Sequence, residues 1–144
     1  SLVVSNKALD FQPVLELSDH EFVCVSGTND KCFAVSKEGR VFELNCIFLA
    51  TASFRQIPEY EEYTIRAVYA GFNHLLFETS DGEILSSGYG NDGQLLTNEL
   101  PASNNYNSLK TNINSGASFC IAGNTKSVVF IESTVPTNTP NRPI

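Results

Sequence analysis

The sequence predicts an all-β fold: a partial β-propeller built of about three antiparallel blades. A module of alternating strand, glycine, second strand, polar turn and third strand occurs three times, at residues 21–42, 65–85 and 110–130. Inside the first two copies, Lys37-Glu38-Gly39 and Ser80-Asp81-Gly82 have the composition of tight hairpin turns, where glycine supplies a positive φ. No segment has convincing helical periodicity, and strand units that return at such spacing mark propeller blades.

In chain order, residues 1–20 read as the end of a preceding repeat and a lead-in, with His20 solvated in the polar stretch Ser18-Asp19-His20-Glu21. Three repeats follow over 21–133, at about 21–56, 57–105 and 106–133. Aligning the turns at Gly39, Gly82 and Ser127 sets the copies 43 and 45 residues apart. The first glycines, Gly27, Gly71 and Gly116, then correspond, with one extra residue in the first copy. On this register Cys24, Val68 and Ile113 share one place, and Ser26, Ala70 and Ser115 another. In the second strand Phe33, Leu76 and Ile121 coincide, as do Cys32, Leu75 and Cys120. A small residue beside a glycine implies close approach of two backbones. Glu59 to Tyr69 fits a short helix or a strand lead-in after Pro58, and Asn107 to Asn112 fits a single turn. Residues 134–144, rich in Pro, Thr and Asn, are expected to be a flexible tail or linker.

The second copy reads Ala70-Gly71-x-x-His74-x-Leu76, then Thr79-x-Asp81-Gly82-x-Ile84, then Gly88-x-Gly90-x-x-Gly93-Gln94-Leu95. It resembles the repeat of the regulator of chromosome condensation (RCC1-like) family, and the resemblance extends from residue 13 to about residue 133. Pro13-Val14-Leu15-Glu16-Leu17 resembles the segment that leads from one such repeat into the next. The first copy departs by Lys31 at the His74 place and by lacking Gly-Gln-Leu after Leu44-Asn45. The third has Phe119 and Ser127 for the His and the Gly, and Ser87 stands where the family has an aromatic before Gly88. The resemblance implies a propeller of about seven blades. Three repeats are then a fragment of a larger ring or a unit that completes a ring by self-association. The chain has no Met, which points to the fragment. The resemblance also implies that Gly27, Gly39, Gly71, His74, Asp81, Gly82, Gly88, Gly93, Gln94 and Gly116 are structural repeat positions, with the His74 ring bonded to nearby backbone.

With 16 acidic and 9 basic residues the chain carries −7, and its basic residues are scattered, which argues against direct nucleic-acid binding. Apolar residues at 42% and charged ones at 17% describe a globular chain rather than a disordered one. No apolar run approaches a membrane span. Cys24, Cys32, Cys46 and Cys120 lack paired spacing, so reduced thiols and no structural metal are expected. With no N-x-S/T triplet, the expectation is an intracellular protein of cytoplasm or nucleus. Gly88-Tyr89-Gly90-Asn91-Asp92-Gly93 spells a dinucleotide fingerprint, yet no amphipathic helix follows, so it reads as a loop and no cofactor is expected.

No arrangement of residues points to catalysis. Exposed Tyr60 and Tyr63 among Glu59, Glu61 and Glu62 suit a basic protein partner. The function expected is protein–protein interaction through a propeller face, non-catalytic in itself. The alternative, implied by the resemblance, is part of a guanine-nucleotide exchange factor acting on a Ran-like small GTPase.

Overall fold

A computed structural model describes residues 3–6, 10–13, 19–45, 53–97, 109–113 and 116–132. Strands β1 (Val3–Asn6) and β2 (Asp10–Pro13) form a hairpin of their own. The first four-stranded sheet comprises β3 (Phe22–Gly27), β4 (Lys31–Ser36), β5 (Val41–Asn45) and β6 (Ser53–Gln56). The second comprises β7 (Ile65–Ala70), β8 (His74–Thr79), β9 (Ile84–Gly88) and β10 (Leu109–Lys110). Strands β11 (Ala117–Ala122) and β12 (Ser127–Ile131) make a third, two-stranded sheet. Every pairing is antiparallel and joins chain neighbours.

The sheets stack face to face because paired residues in antiparallel strands share a face. On the first sheet Phe33, Val35 and Val41 point at the second, which answers with Val68, Leu75, Phe77 and Leu85. On the opposite face of the second sheet, Leu76 and Ile84 meet Ala117 and Cys120 of the third. The second sheet is therefore covered on both sides, and every residue of β8 and β9 is buried. Each such Leu, Ile or Phe contributes roughly 1.5–3 kcal/mol by leaving water. That double burial explains why apolar residues stand side by side in the second copy, at Leu75-Leu76-Phe77 and Ile84-Leu85, against the alternating burial of β3.

The structure corrects the repeat register. The inner hairpins close through one recurring bond, Thr28 N–H to Lys31 O, Gly71 N–H to His74 O and Gly123 N–H to Lys126 O, each 2.8 Å. The first strand of each sheet also carries the same bulge, at Val23, Arg66 and Ser118. Thus Gly71 corresponds to Thr28 and Gly123, not to Gly27 and Gly116, and the first copy has no extra residue. Gly27 pairs with Cys32 as Ala70 pairs with Leu75. The third copy is displaced: Gly116 stands where Thr64 stands, Phe119 lies on the first strand rather than at the His74 place, and Ser127 matches Leu75. Strand-like composition recurs in both hairpins of a blade, so composition alone allowed this slip.

Leu109–Lys110 form the outer strand of the second sheet, not a turn. Between the first two sheets a 3-10 turn, Pro58–Tyr60, precedes β7. No helix extends from Glu59 to Tyr69, because β7 begins at Ile65. Residues 14–17 and 134–144, and with them the expected tail, lie outside the described residues.

Candidate functional site

Two rims result from this stacking. One rim gathers the turns between second and third strands together with the connections between sheets. Backbone bonds stitch it: Lys37 N–H to Glu21 O (2.7 Å), Ile65 N–H to Gly39 O (3.1 Å), Ser80 N–H to Thr64 O (2.8 Å), Ala117 N–H to Gly82 O (3.2 Å) and Glu132 N–H to Gly116 O (2.9 Å). Its side chains are strongly acidic. Asp19, Glu21, Glu38, Glu61, Glu62, Asp81 and Glu132 are exposed there, with Glu83 half-buried. The basic residues in or beside this rim's described turns include Lys37, Arg40 and Arg66, of which Arg66 is bound to Glu78 and Lys37 to Glu21 at 3.0 Å. That pairing raises the Lys37 pKa, and a hydrogen bond from Ser36 holds Glu38 below the usual carboxylate range. A cleft of about 370 Å³ lined by Glu38, Arg40, Gln56, Tyr60, Glu61 and Tyr63 opens on the same rim.

The opposite rim carries the inner hairpin turns, linked by Asn29 N–H to Phe72 O (3.2 Å) and Phe72 N–H to Gly123 O (3.1 Å). Its described charges nearly cancel: Asp30 and Asp92 against Lys31 and Lys126. Among the described residues the net negative charge is therefore concentrated on one side, on turns joined by backbone bonds.

The acidic tyrosine segment divides into exposed and buried residues. Glu61 and Glu62 are exposed on the rim. Tyr60, in contrast, is 2% exposed, its ring 4.2 Å from that of Phe77 inside the first core, so it anchors the connection instead of offering a contact. Tyr63 is half-buried against the same core, and burial, then Glu62, raises its pKa. Glu59 lies in the 3-10 turn, and its side chain is outside the described residues. His20 is only partly exposed: its ring lies 4.7 Å from that of Phe42 and 6.0 Å from that of Phe22.

The repeat residues hold turns and junctions. Gly39 and Gly82 adopt φ of 83° and 79° in the turns, and a Cβ on Gly82 would lie 2.8 Å from Gly116 N. Asp81 is exposed beside Gly82. Gly71 lies against the His74 ring, where a Cβ would approach Cε1 to 2.2 Å. Gly27 ends β3, Gly88 ends β9, and Gly116 precedes β11. Gly93 sits in an exposed turn, and Gln94 beside it is buried, with Oε1 accepting from Asp92 N–H at 2.9 Å. The glycine-rich stretch continues as turns through Thr97, with no helix among the described residues.

His74 is fully buried, and its bond is not to nearby backbone. Its Nε2 is 2.8 Å from Ser127 Oγ on the third sheet, and that hydroxyl donates to Gln94 O at 2.7 Å. The serine hydrogen being used, the ring donates through Nε2–H. Burial pushes the His74 pKa below its ordinary value.

A second junction group gives no signal in the repeat pattern. Glu78 is fully buried, bound by Arg66 and accepting from Tyr69 Oη at 2.8 Å, while Arg66 also donates to Ser118 O at 3.3 Å. Burial, then Glu78, raises the Tyr69 pKa and pushes the Cys120 thiol up to about 12. A lone Glu within the apolar run of β8 was the available clue. On the first sheet Glu43 is held by Lys31 at 2.5 Å and Arg55 at 3.0 Å. Burial opposes its ionisation, yet these two cations outweigh it and hold its pKa low. Among the described residues no group of His, Cys, Asp or Glu is placed to hold a metal, Cys24, Cys32 and Cys120 are not joined in disulfides, and no helix is long and apolar enough to cross a membrane.

No protein-family model matches the chain, and no curated protein matches its sequence. Solved structures do match. Human WBSCR16 is similar with a TM-score of 0.66 and 17% identity, over 81% of this chain and 33% of that one. Yeast RCC1 (Prp20), solved bound to Kap60, is similar with a TM-score of 0.69 and 14% identity, over 85% of this chain and 31% of that one. Prp20p from Saccharomyces cerevisiae, described with its binding properties to Gsp1p and histones, gives 0.69 and 15%, over 85% and 32%. The chain thus spans about a third of the length of the structures it matches. With this likeness and these sheets, the chain has an RCC1-like fold and forms a partial β-propeller.

Proposed function

We propose that this chain is a protein-binding propeller sector, non-catalytic in itself, whose acidic rim receives a basic polypeptide segment. The observation that carries the reading is the one-sided charge: exposed carboxylates crowd the rim stitched by the sheet-to-sheet backbone bonds, and the other rim is nearly balanced. Complementary charge of this kind steers encounter and selects partners. Prp20p, similar in fold, is described with binding to histones, which present such basic chemistry. The test is binding of a Lys/Arg-rich peptide to the chain and to its E61K/E62K variant. Charge reversal weakens binding about tenfold, or ~1.4 kcal/mol. Unchanged affinity rejects the acidic rim as the contact.

A second reading is a contribution to nucleotide exchange on a Ran-like small GTPase. It is supported by the fold shared with Prp20p, which is described with binding to Gsp1p. It predicts faster release of bound nucleotide from such a GTPase in the presence of this chain within its full-length protein. Unaltered release removes it.

A further inference from the structure

The cleft on the acidic rim has a chemistry of its own. It opens where the β4–β5 turn and the end of β6 meet the connection 57–64, and its volume is about 370 Å³. The buried part of its lining is apolar or aromatic, from Ile57 and Tyr60, and half-buried Tyr63 adds a second ring. The exposed part carries charge, with Glu38 on the turn and Glu61 on the connection set against Arg40. Both carboxylates are held in place by neutral donors. Ser36 and the N–H of Glu38 itself donate to the Glu38 carboxylate, and Gln56 Nε2 donates to Glu61 Oε1 at 3.3 Å. Arg40 acts on Glu38 through its charge, while among the described residues Glu61 stands in no ion pair.

The lining charges sum to 1 − 2 = −1, so a single cation entering the cleft brings them to zero. The rings decide which cation gains most. A guanidinium is planar and weakly hydrated, lies against aromatic faces and offers carboxylates a fixed fork of N–H donors. An ammonium is compact and strongly hydrated, so it loses more water on entering such a place. A rim that only attracts positive charge treats the two alike. Carboxylates set beside aromatic rings do not.

We propose that this cleft is an arginine-selective subsite of the acidic rim, in which one guanidinium of the basic segment lies beside Tyr63 with Glu38 and Glu61 as its acceptors. The inference rests on the reading of that rim as a polypeptide-binding face, and it adds which residue the bound segment must carry.

Calorimetric titration of the chain with two peptides tests it: an all-lysine peptide, and the same peptide with its central lysine replaced by arginine. Both bind, the arginine peptide about fivefold more tightly. Glu38→Gln, at an exposed position, brings the ratio of the two affinities close to one. Tyr63→Leu, which keeps an apolar side chain against the core, does the same. Glu132→Gln removes a rim carboxylate that follows β12 and does not line the cleft, and it leaves the ratio as it is. Equal affinities of the unsubstituted chain for the two peptides leave the acidic rim as the contact and overturn the arginine subsite. A preference that survives Glu38→Gln or a folded Tyr63→Leu, or one that Glu132→Gln also abolishes, overturns it too, because arginine is then read elsewhere. Binding of neither peptide removes the rim as a contact and the subsite with it.

Discussion

At His74 the imidazole is enclosed between Gly71 and the third sheet, and burial alone lowers its pKa from the ordinary 6.5. The unfolded chain takes up a proton near that value while the folded chain stays neutral. Stability from this residue is therefore complete above about pH 6.5 and declines as pH falls below it. His74→Gln flattens that acid slope and, by losing the bond to Ser127, costs about 1 kcal/mol at neutral pH. Urea unfolding at about pH 5 and about pH 7.5 reads both effects. Glu78 acts differently, as a charge sealed in the second junction and dependent on its donors. Tyr69→Phe removes one of them and lowers stability by about 2 kcal/mol, since a bond to an ionised group is lost in a dry site.

Among the elements, the turns decide how closely sheets approach. Gly82 and Gly93 share a φ of 79°, yet a Cβ on Gly82 meets Gly116 N at 2.8 Å and one on Gly93 meets nothing within 4 Å. Gly93→Ala therefore costs about 1 kcal/mol of backbone strain, and Gly82→Ala costs about 1–2 kcal/mol more because the junction must open. The difference between the two midpoints in thermal unfolding isolates the contact between sheets. The connection 57–64 separates the same way into an anchor and a surface. Tyr60→Ala empties a core site and costs about 3 kcal/mol, whereas E61K/E62K stays within about 0.5 kcal/mol in stability because its side chains are solvated. A calorimetric scan of both variants checks that division.

For the whole molecule, the one-sided charge sets behaviour. With most of its described exposed carboxylates on one rim, binding of a basic peptide weakens as salt rises, and E61K/E62K makes that dependence shallower. Titrations at about 50 and about 200 mM salt measure the slopes.

Strand type, the hairpin turns at Gly39 and Gly82 and the propeller class were legible in the sequence, since period-two patterning and turn glycines act over a few residues. The second copy was read most accurately because burial on both faces left adjacent apolar residues, Leu75-Leu76-Phe77 and Ile84-Leu85, in its strands. The third-copy register, the burial of Tyr60, the packing of His20 on Phe42, the link from His74 to Ser127, the sealed Glu78 and the one-sided charge were decided only by tertiary structure. Each depends on which sheet lies against which, and local patterning does not distinguish a blade's inner hairpin from its outer one or a covered face from a bare one.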